Sequence, residues 1–205
     1  MQPSHASREH AQRRAVLAGG CPLDARRASR SVRAMLLALG MLLAACRSAG
    51  PPLEVVAQLD VARYMGTWYE IASYPQRFQR GCVATQARYA LRDDGRIAVV
   101  NECRDGSFDG ALRRADGVAW IADPEESPAK LKVQFFWPFR GDYWIIELGP
   151  SYEYAVIGHP SREYLWILSR TPQLDAERYA QLLERIEAHG YALDRLQQTP
   201  QPSAH

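Results

Sequence analysis

The chain has 205 residues, with 25 Lys and Arg against 23 Asp and Glu and a formal net charge of +2. Seven of those Arg lie in residues 1–45, beside only Glu9 and Asp24, which leaves 18 basic and 21 acidic residues beyond. A slightly acidic body of about 160 residues is enough for one domain with a real core, and it excludes the overall basic footprint of nucleic-acid or anionic-surface binders.

The chain opens with scattered Arg and no periodicity over residues 1–25, followed by Arg26, Arg27, Arg30 and Arg33 and an apolar run from Ala34 to Ala45. That run is short of the ~20 residues a membrane-spanning helix requires. A basic flank, a short apolar segment and small residues at its exit read as a secretory signal over residues 1–45. Residues 1–25 are surplus to such a signal, so translation is expected to begin near Val32 or Met35. Leu43-Ala44-Ala45-Cys46 resembles the lipobox of bacterial lipoproteins, which implies cleavage before Cys46 and acylation of its sulfur and new amino group. By the same resemblance, Arg47 in place of Asp implies export to the outer membrane. Residues 46–57, with Ser48 to Pro52 at their centre, are expected to form a lipidated tether.

Apolar and β-branched runs separated by turn residues then recur, as in an up-and-down barrel or sandwich. Strands are predicted near 67–74, 83–91, 96–103, 112–122, 130–137, 143–149, 152–158 and 163–170. Eight strands leave an interior just wide enough for one small ligand. The turn signals are Asp94-Gly95, Asp105-Gly106, Asp123-Pro124, Arg140-Gly141-Asp142, Gly149-Pro150 and His159-Pro160. In the fifth strand, Lys130, Lys132 and Gln134 alternate with Leu131, Val133, Phe135 and Trp137, a polar outside and an apolar inside.

Cys82 and Cys103 flank the Asp94-Gly95 hairpin turn. Pivoting there places Cys82 opposite residues 105–107, so a bridge to Cys103 needs a bulge or a frayed strand end. A Cys82–Cys103 bridge is expected in an oxidising compartment; two free thiols are the alternative.

Past the eighth strand, Asp175 is the predicted N-cap of a helix, with Leu174 as a hydrophobic staple. Tyr179, Leu182, Leu183 and Ile186 form its one apolar stripe, and Gly190 ends it. A ninth short strand is expected near 192–197, and 198–205 is expected to be a loose tail.

Gly66-Thr67-Trp68 at the start of the first strand, with Ser169-Arg170-Thr171-Pro172 at the end of the last, resembles the signature of the lipocalins. Phe135-Phe136-Trp137-Pro138-Phe139 and the run Tyr164 to Pro172 strengthen the likeness to bacterial lipocalins, over about residues 58–197. The family's middle motif is weaker, because Ser151-Tyr152 stands where an Asp-Tyr pair is usual. The resemblance implies an all-β fold: an eight-stranded up-and-down antiparallel lipocalin barrel with a C-terminal α-helix packed outside. It assigns Gly66, Trp68 and Arg170 structural roles, with the Arg170 guanidinium stacked on Trp68 to seal one end. It further implies an outer-membrane lipoprotein, on the periplasmic face, that binds fatty acids or lysophospholipids for storage, transport or membrane maintenance.

If Trp68 closes the barrel, strand parity points Glu70, Ala72 and Tyr74 inward above it. Val133, Phe135 and Trp137 join them from the fifth strand, and Trp166 and Leu168 from the closing one. An apolar, aromatic-walled cavity of this kind buries acyl chains at ~0.8 kcal/mol per CH₂. Glu70 needs a partner, because an inward carboxylate is costly alone. A head group is expected near the open end, beside Tyr74, Arg77 and Arg80, with Phe78 at the mouth. The aromatics of Phe136 to Phe139 would suit a homodimer contact.

No His-x-x-x-His, paired-Cys or Gly-rich phosphate motif occurs, so no cofactor or metal is expected. The chain is therefore read as a carrier and not an enzyme. The alternatives are an envelope structural or stress protein with an incidental pocket, or a lipid-modifying enzyme, the latter requiring a free and reactive Cys82.

Overall fold

A computed structural model describes residues 51–203. The expected signal peptide over residues 1–45 and the expected acylation site at Cys46 lie outside the described residues.

The segment expected to be tether binds the barrel from Leu53 onward. Leu53 is buried, Val55 and Val56 pack on the core, and Val56 N donates to Ile145 O at 3.0 Å. Apolar side chains at 53, 55 and 56 have more to gain against the barrel than in water. Asp60 then caps a single turn, α1 (Val61–Tyr64), by accepting from Arg63 N.

Eight antiparallel strands follow: β1 (Gly66–Ser73), β2 (Cys82–Leu91), β3 (Ile97–Asp105), β4 (Leu112–Asp123), β5 (Ser127–Phe136), β6 (Phe139–Leu148), β7 (Tyr154–Gly158) and β8 (Leu165–Ser169). Each pairs with its sequence neighbour, and β1 pairs with both β8 and β2, so the sheet closes on itself. Closure leaves no long free edge, which is what open antiparallel sheets must otherwise protect.

α2 (Ala176–Ala188) is capped as its sequence predicts, Asp175 accepting from Glu177 N and Arg178 N. It lays Leu182 and Ile186, both fully buried, against the outside of the barrel. There they meet Ala72, Ile146, Val156, Leu165 and Ile167. Burying two such side chains contributes ~1.5–3 kcal/mol each. The core therefore has two layers, one inside the barrel and one between barrel and helix.

The C-terminal segment is not loose. β9 (Gln197–Gln198) pairs with Ala72 and Ser73 of β1. Beyond it, Thr199 N donates to Ile71 O and Ala84 N donates to Pro200 O. The Gln201 side-chain amide bridges Glu70 O at 2.9 Å and Thr85 O at 2.8 Å. β1 and β2 pair only from Gly66 to Tyr69 and then part, so the tail fills the gap and satisfies backbone groups left over at the seam.

The predicted bridge is present, Cys82 to Cys103 with Cα atoms 5.4 Å apart. Cys82 does pair opposite Asp105, and a register shift between Val83 and Gln86 supplies the needed bulge. Within it Ala84 takes a φ of 49°.

The barrel interior as a candidate ligand site

The base of the barrel is built from three carbonyl-rich turns and one cation. The Arg170 guanidinium sits 3.8 Å from the centroid of the Trp68 ring. It donates to Thr67 O at 3.0 Å, to Tyr152 O at 3.2 Å, and to Arg63 O and Tyr64 O at the end of α1. Trp68 Nε1 donates to Tyr64 O at 2.9 Å, so indole and guanidinium share an acceptor. Gly66 runs beneath them with a φ of +97°, and a Cβ there would lie 3.3 Å from Arg170 Nη1. Only glycine enters that backbone region without cost.

Above this stopper three phenols converge. Tyr64 and Tyr143 hydroxyls are 2.7 Å apart, and Tyr89 and Tyr143 hydroxyls 3.0 Å apart. Two hydrogen bonds use two of the three phenolic protons. Burial pushes all three phenols above their ordinary range, Tyr89 to about 12. They line a cavity with Ile97, Val99, Ala119, Leu131 and Val133 whose volume is about 10 Å³. That is room for about one water.

The bulge in β1 decides which predicted residues reach the interior. Glu70 pairs with Leu168, but Ala72 pairs with Ile167, so Ile71 is an extra residue and the alternation inverts. Glu70 and Leu168 therefore belong to the inner layer, as expected. Ala72 and Tyr74 do not. Both face the helix side, and Tyr74 donates its hydroxyl to Ala192 O at 2.8 Å beneath the Arg195 guanidinium. Ser73 turns inward in their place and donates to Glu70 Oε1.

A second irregularity corrects β5. Leu131, Val133 and Phe135 line the inside, whereas Trp137 is 85% exposed. The register shifts between Val133 and Phe136, and the strand ends at Phe136 before a Trp137-Pro138 turn. Phe135 fits because Gly117 faces it; a Cβ at Gly117 would fall 2.7 Å from the ring.

Glu70 is 5% exposed and its partners are neutral donors, not an Arg. Its carboxylate accepts from Ser73 Oγ, Gln79 Nε2 and Thr199 Oγ1, at 2.9, 2.7 and 2.6 Å. Gln79 also accepts from Trp166 Nε1 at 3.1 Å. The Arg77–Gln79 3-10 turn thus ties the β1–β2 loop to the adjacent strands β1 and β8. Thr85 Oγ1 and Asn101 Oδ1 are buried nearby on β2 and β3 without a protein partner. The upper interior accordingly has a polar wall on β1–β3 and an apolar wall formed by Val133, Phe135 and Trp166. Arg77 and Arg80 are exposed on the rim. Cys82 has no free thiol, which removes the nucleophile that the enzyme alternative required.

Sequence parity missed Tyr64, Tyr89, Ile97, Val99, Ala119 and Tyr143. The alternation of Ile97 and Val99 was legible, but which face is inward on β3, β4 and β6 follows only from their register.

A family model described as a lipocalin-like domain matches residues 59–201. The chain is 48% identical to temperature-induced lipocalin-1 of Arabidopsis thaliana over 157 residues, covering 73% of this chain and 83% of that one. It is 42% identical to the outer membrane lipoprotein Blc of Citrobacter freundii over 166 residues, 80% of this chain and 92% of that one. Blc of Escherichia coli (strain K12) is 39% identical over 165 residues, with the same coverages. Among solved structures, insecticyanin of the tobacco hornworm Manduca sexta superposes with a TM-score of 0.59 at 19% identity, covering 75% of this chain and 86% of that one. The closed barrel, its Arg-capped base and these matches place the chain in one family: it is a lipocalin.

Proposed function

We propose that this lipocalin is a bacterial envelope lipoprotein that carries a fatty acid or lysophospholipid. On this reading residues 1–45 are a signal peptide, Cys46 is acylated, and the barrel is held at the periplasmic face of the outer membrane. The observation that carries it is the sealed cup: an apolar wall of Val133, Phe135, Trp166 and Leu168 above a base closed by Trp68 and Arg170. Relatives named outer membrane lipoproteins support the location. The unpartnered Thr85 Oγ1 and Asn101 Oδ1 suit a ligand whose polar end reaches below the rim.

A second reading is favoured by the size of the hollow. About 10 Å³ is far below the ~300–1,000 Å³ of pockets that enclose small ligands. A carrier would have to widen, by moving Phe135, Trp166 and the Gln79 latch. An envelope structural or stress protein with an incidental pocket would not.

Native mass spectrometry of the protein extracted in gentle detergent separates the two. The carrier reading expects one acyl lipid per chain, and loaded protein in which Trp166 emission changes. A chain that stays empty and refuses added fatty acid and lysophospholipid leaves the second reading.

A further inference from the structure

The exposed aromatics of this barrel are gathered at one end. Phe78, Phe108, Phe136, Trp137 and Phe139 are 47–85% exposed. All five lie in or beside the β1–β2, β3–β4 and β5–β6 connections, at the end opposite Trp68 and Arg170. Exposed Arg77, Arg80, Arg104 and Arg140 stand among them, and the exposed acids at this end are Asp105, paired with Arg113 at 3.3 Å, Asp109 and Glu163. The opposite turns carry Asp93, Asp94, Asp123, Glu125, Glu126 and Glu153 against Arg92 and Arg96, both paired with Asp94. A near-balanced total charge thus conceals two ends of opposite sign.

The chain also leaves the barrel on the basic, aromatic side. Arg162, in the β7–β8 turn, donates to Pro51 O at 2.6 Å. Cys46 is five residues earlier, and five residues reach at most ~18 Å.

We propose that the open end is a docking face for an anionic phospholipid surface, with Phe136, Trp137 and Phe139 entering the interface and the rim Arg side chains meeting lipid phosphates. Large aromatic and aliphatic side chains with Lys or Arg beside them are the composition that settles at the headgroup boundary. Each basic side chain held near such a surface adds to the attraction. A second copy is a poorer occupant, because face-to-face rims would oppose the same Arg residues. The docked barrel opens toward the leaflet, so a lipid would pass between bilayer and cup without crossing water. The docking face extends the carrier reading, and the Cys46 anchor only shortens the distance to the membrane.

The test uses the protein purified from membranes and reconstituted into vesicles of phosphatidylethanolamine and phosphatidylglycerol with brominated acyl chains. Bromine should quench a Trp emission component that Trp137→Phe removes, and the variant Phe136→Ser, Phe139→Ser, which keeps Trp137, should lose at least ten-fold in the quenching of that component at unchanged near-ultraviolet dichroism. Quenching that is the same in wild type and Trp137→Phe overturns the proposal. So does a doubled mass on gel filtration with Trp137 shielded in the absence of lipid, which would make the face a homodimer contact. Intact mass of the same sample reports separately on Cys46: an unacylated chain whose Trp137 is still quenched supports the docking face while removing the anchor.

Discussion

Arg170 and Trp68, 102 positions apart, are stacked at 3.8 Å, and the guanidinium spends its donors on the carbonyls of Arg63, Tyr64, Thr67 and Tyr152. One side chain thereby fastens α1, the start of β1 and the β6–β7 turn to the end of β8. Arg170→Ala takes the guanidinium donor from the Arg63, Thr67 and Tyr152 carbonyls, leaves Tyr64 O only Trp68 Nε1, and removes the cation–π contact, together costing ~2–4 kcal/mol. Arg170→Lys keeps the charge but not the planar fork, and should recover less than half of it. Urea unfolding measures both; a loss under about 1 kcal/mol for the Ala variant would contradict the stopper role.

The Cys82–Cys103 bridge closes a loop with a sequence separation of 21. By chain entropy, its removal in Cys82→Ser/Cys103→Ser costs ~3 kcal/mol. Thermal unfolding of the wild type should show a comparable drop on adding a thiol reductant. An unshifted midpoint in reductant, with both thiols shown to be free, would refute the estimate.

The three buried phenols make the barrel sensitive to alkali. Their folded-state values are raised by burial, Tyr89 to about 12, from about 10 in the unfolded chain. Stability from this source is whole below pH ~10 and is lost as pH rises through the folded values, because the unfolded chain releases those protons first. Absorbance near 295 nm should therefore show Tyr64, Tyr89 and Tyr143 ionising together with unfolding. Tyr143→Phe removes the middle hydroxyl and should lower the neutral-pH stability by ~1–3 kcal/mol. Full phenolate absorbance in a still-folded barrel would show that the cluster is accessible.

The tail makes a prediction about local opening. Thr199 and Gln201 close the seam between β1 and β2 and cover Glu70. Removing residues 199–205 should raise amide exchange at Ala84, whose N–H donates to Pro200 O, by ten-fold or more, with little change at β4–β6. Uniform loss of protection throughout the barrel would mean that the tail is part of the global fold and not a local clasp.

Gly117 decides how Phe135 sits. A Cβ there would meet the ring at 2.7 Å and Gln134 O at 2.8 Å, so Gly117→Ala should cost ~1–3 kcal/mol through overpacking. If the carrier reading holds, the same variant pushes Phe135 into the cup and weakens fatty acid uptake in the native mass spectrum.

Strand number, the helix with its Asp175 cap and the possibility of the disulfide were set by the sequence alone, because each rests on local chemistry or short-range periodicity; the pairing of Trp68 with Arg170 was implied by the family resemblance. The interior was only half legible. Glu70, Val133, Phe135, Trp166 and Leu168 face inward as parity implies, but parity cannot see an inserted residue: Ile71 turns Ala72 and Tyr74 to the helix side, and the β5 irregularity places Trp137 outside. Bulges form where distant strands must close with a fixed stagger, a condition written in the partner strands and not in β1 or β5. The tertiary structure likewise decided that Tyr64, Tyr89 and Tyr143 share one proton network, that residues 199–201 zip the seam, and that the exposed aromatics gather at the open end. Each of these depends on segments far apart in the chain meeting at one height of the barrel.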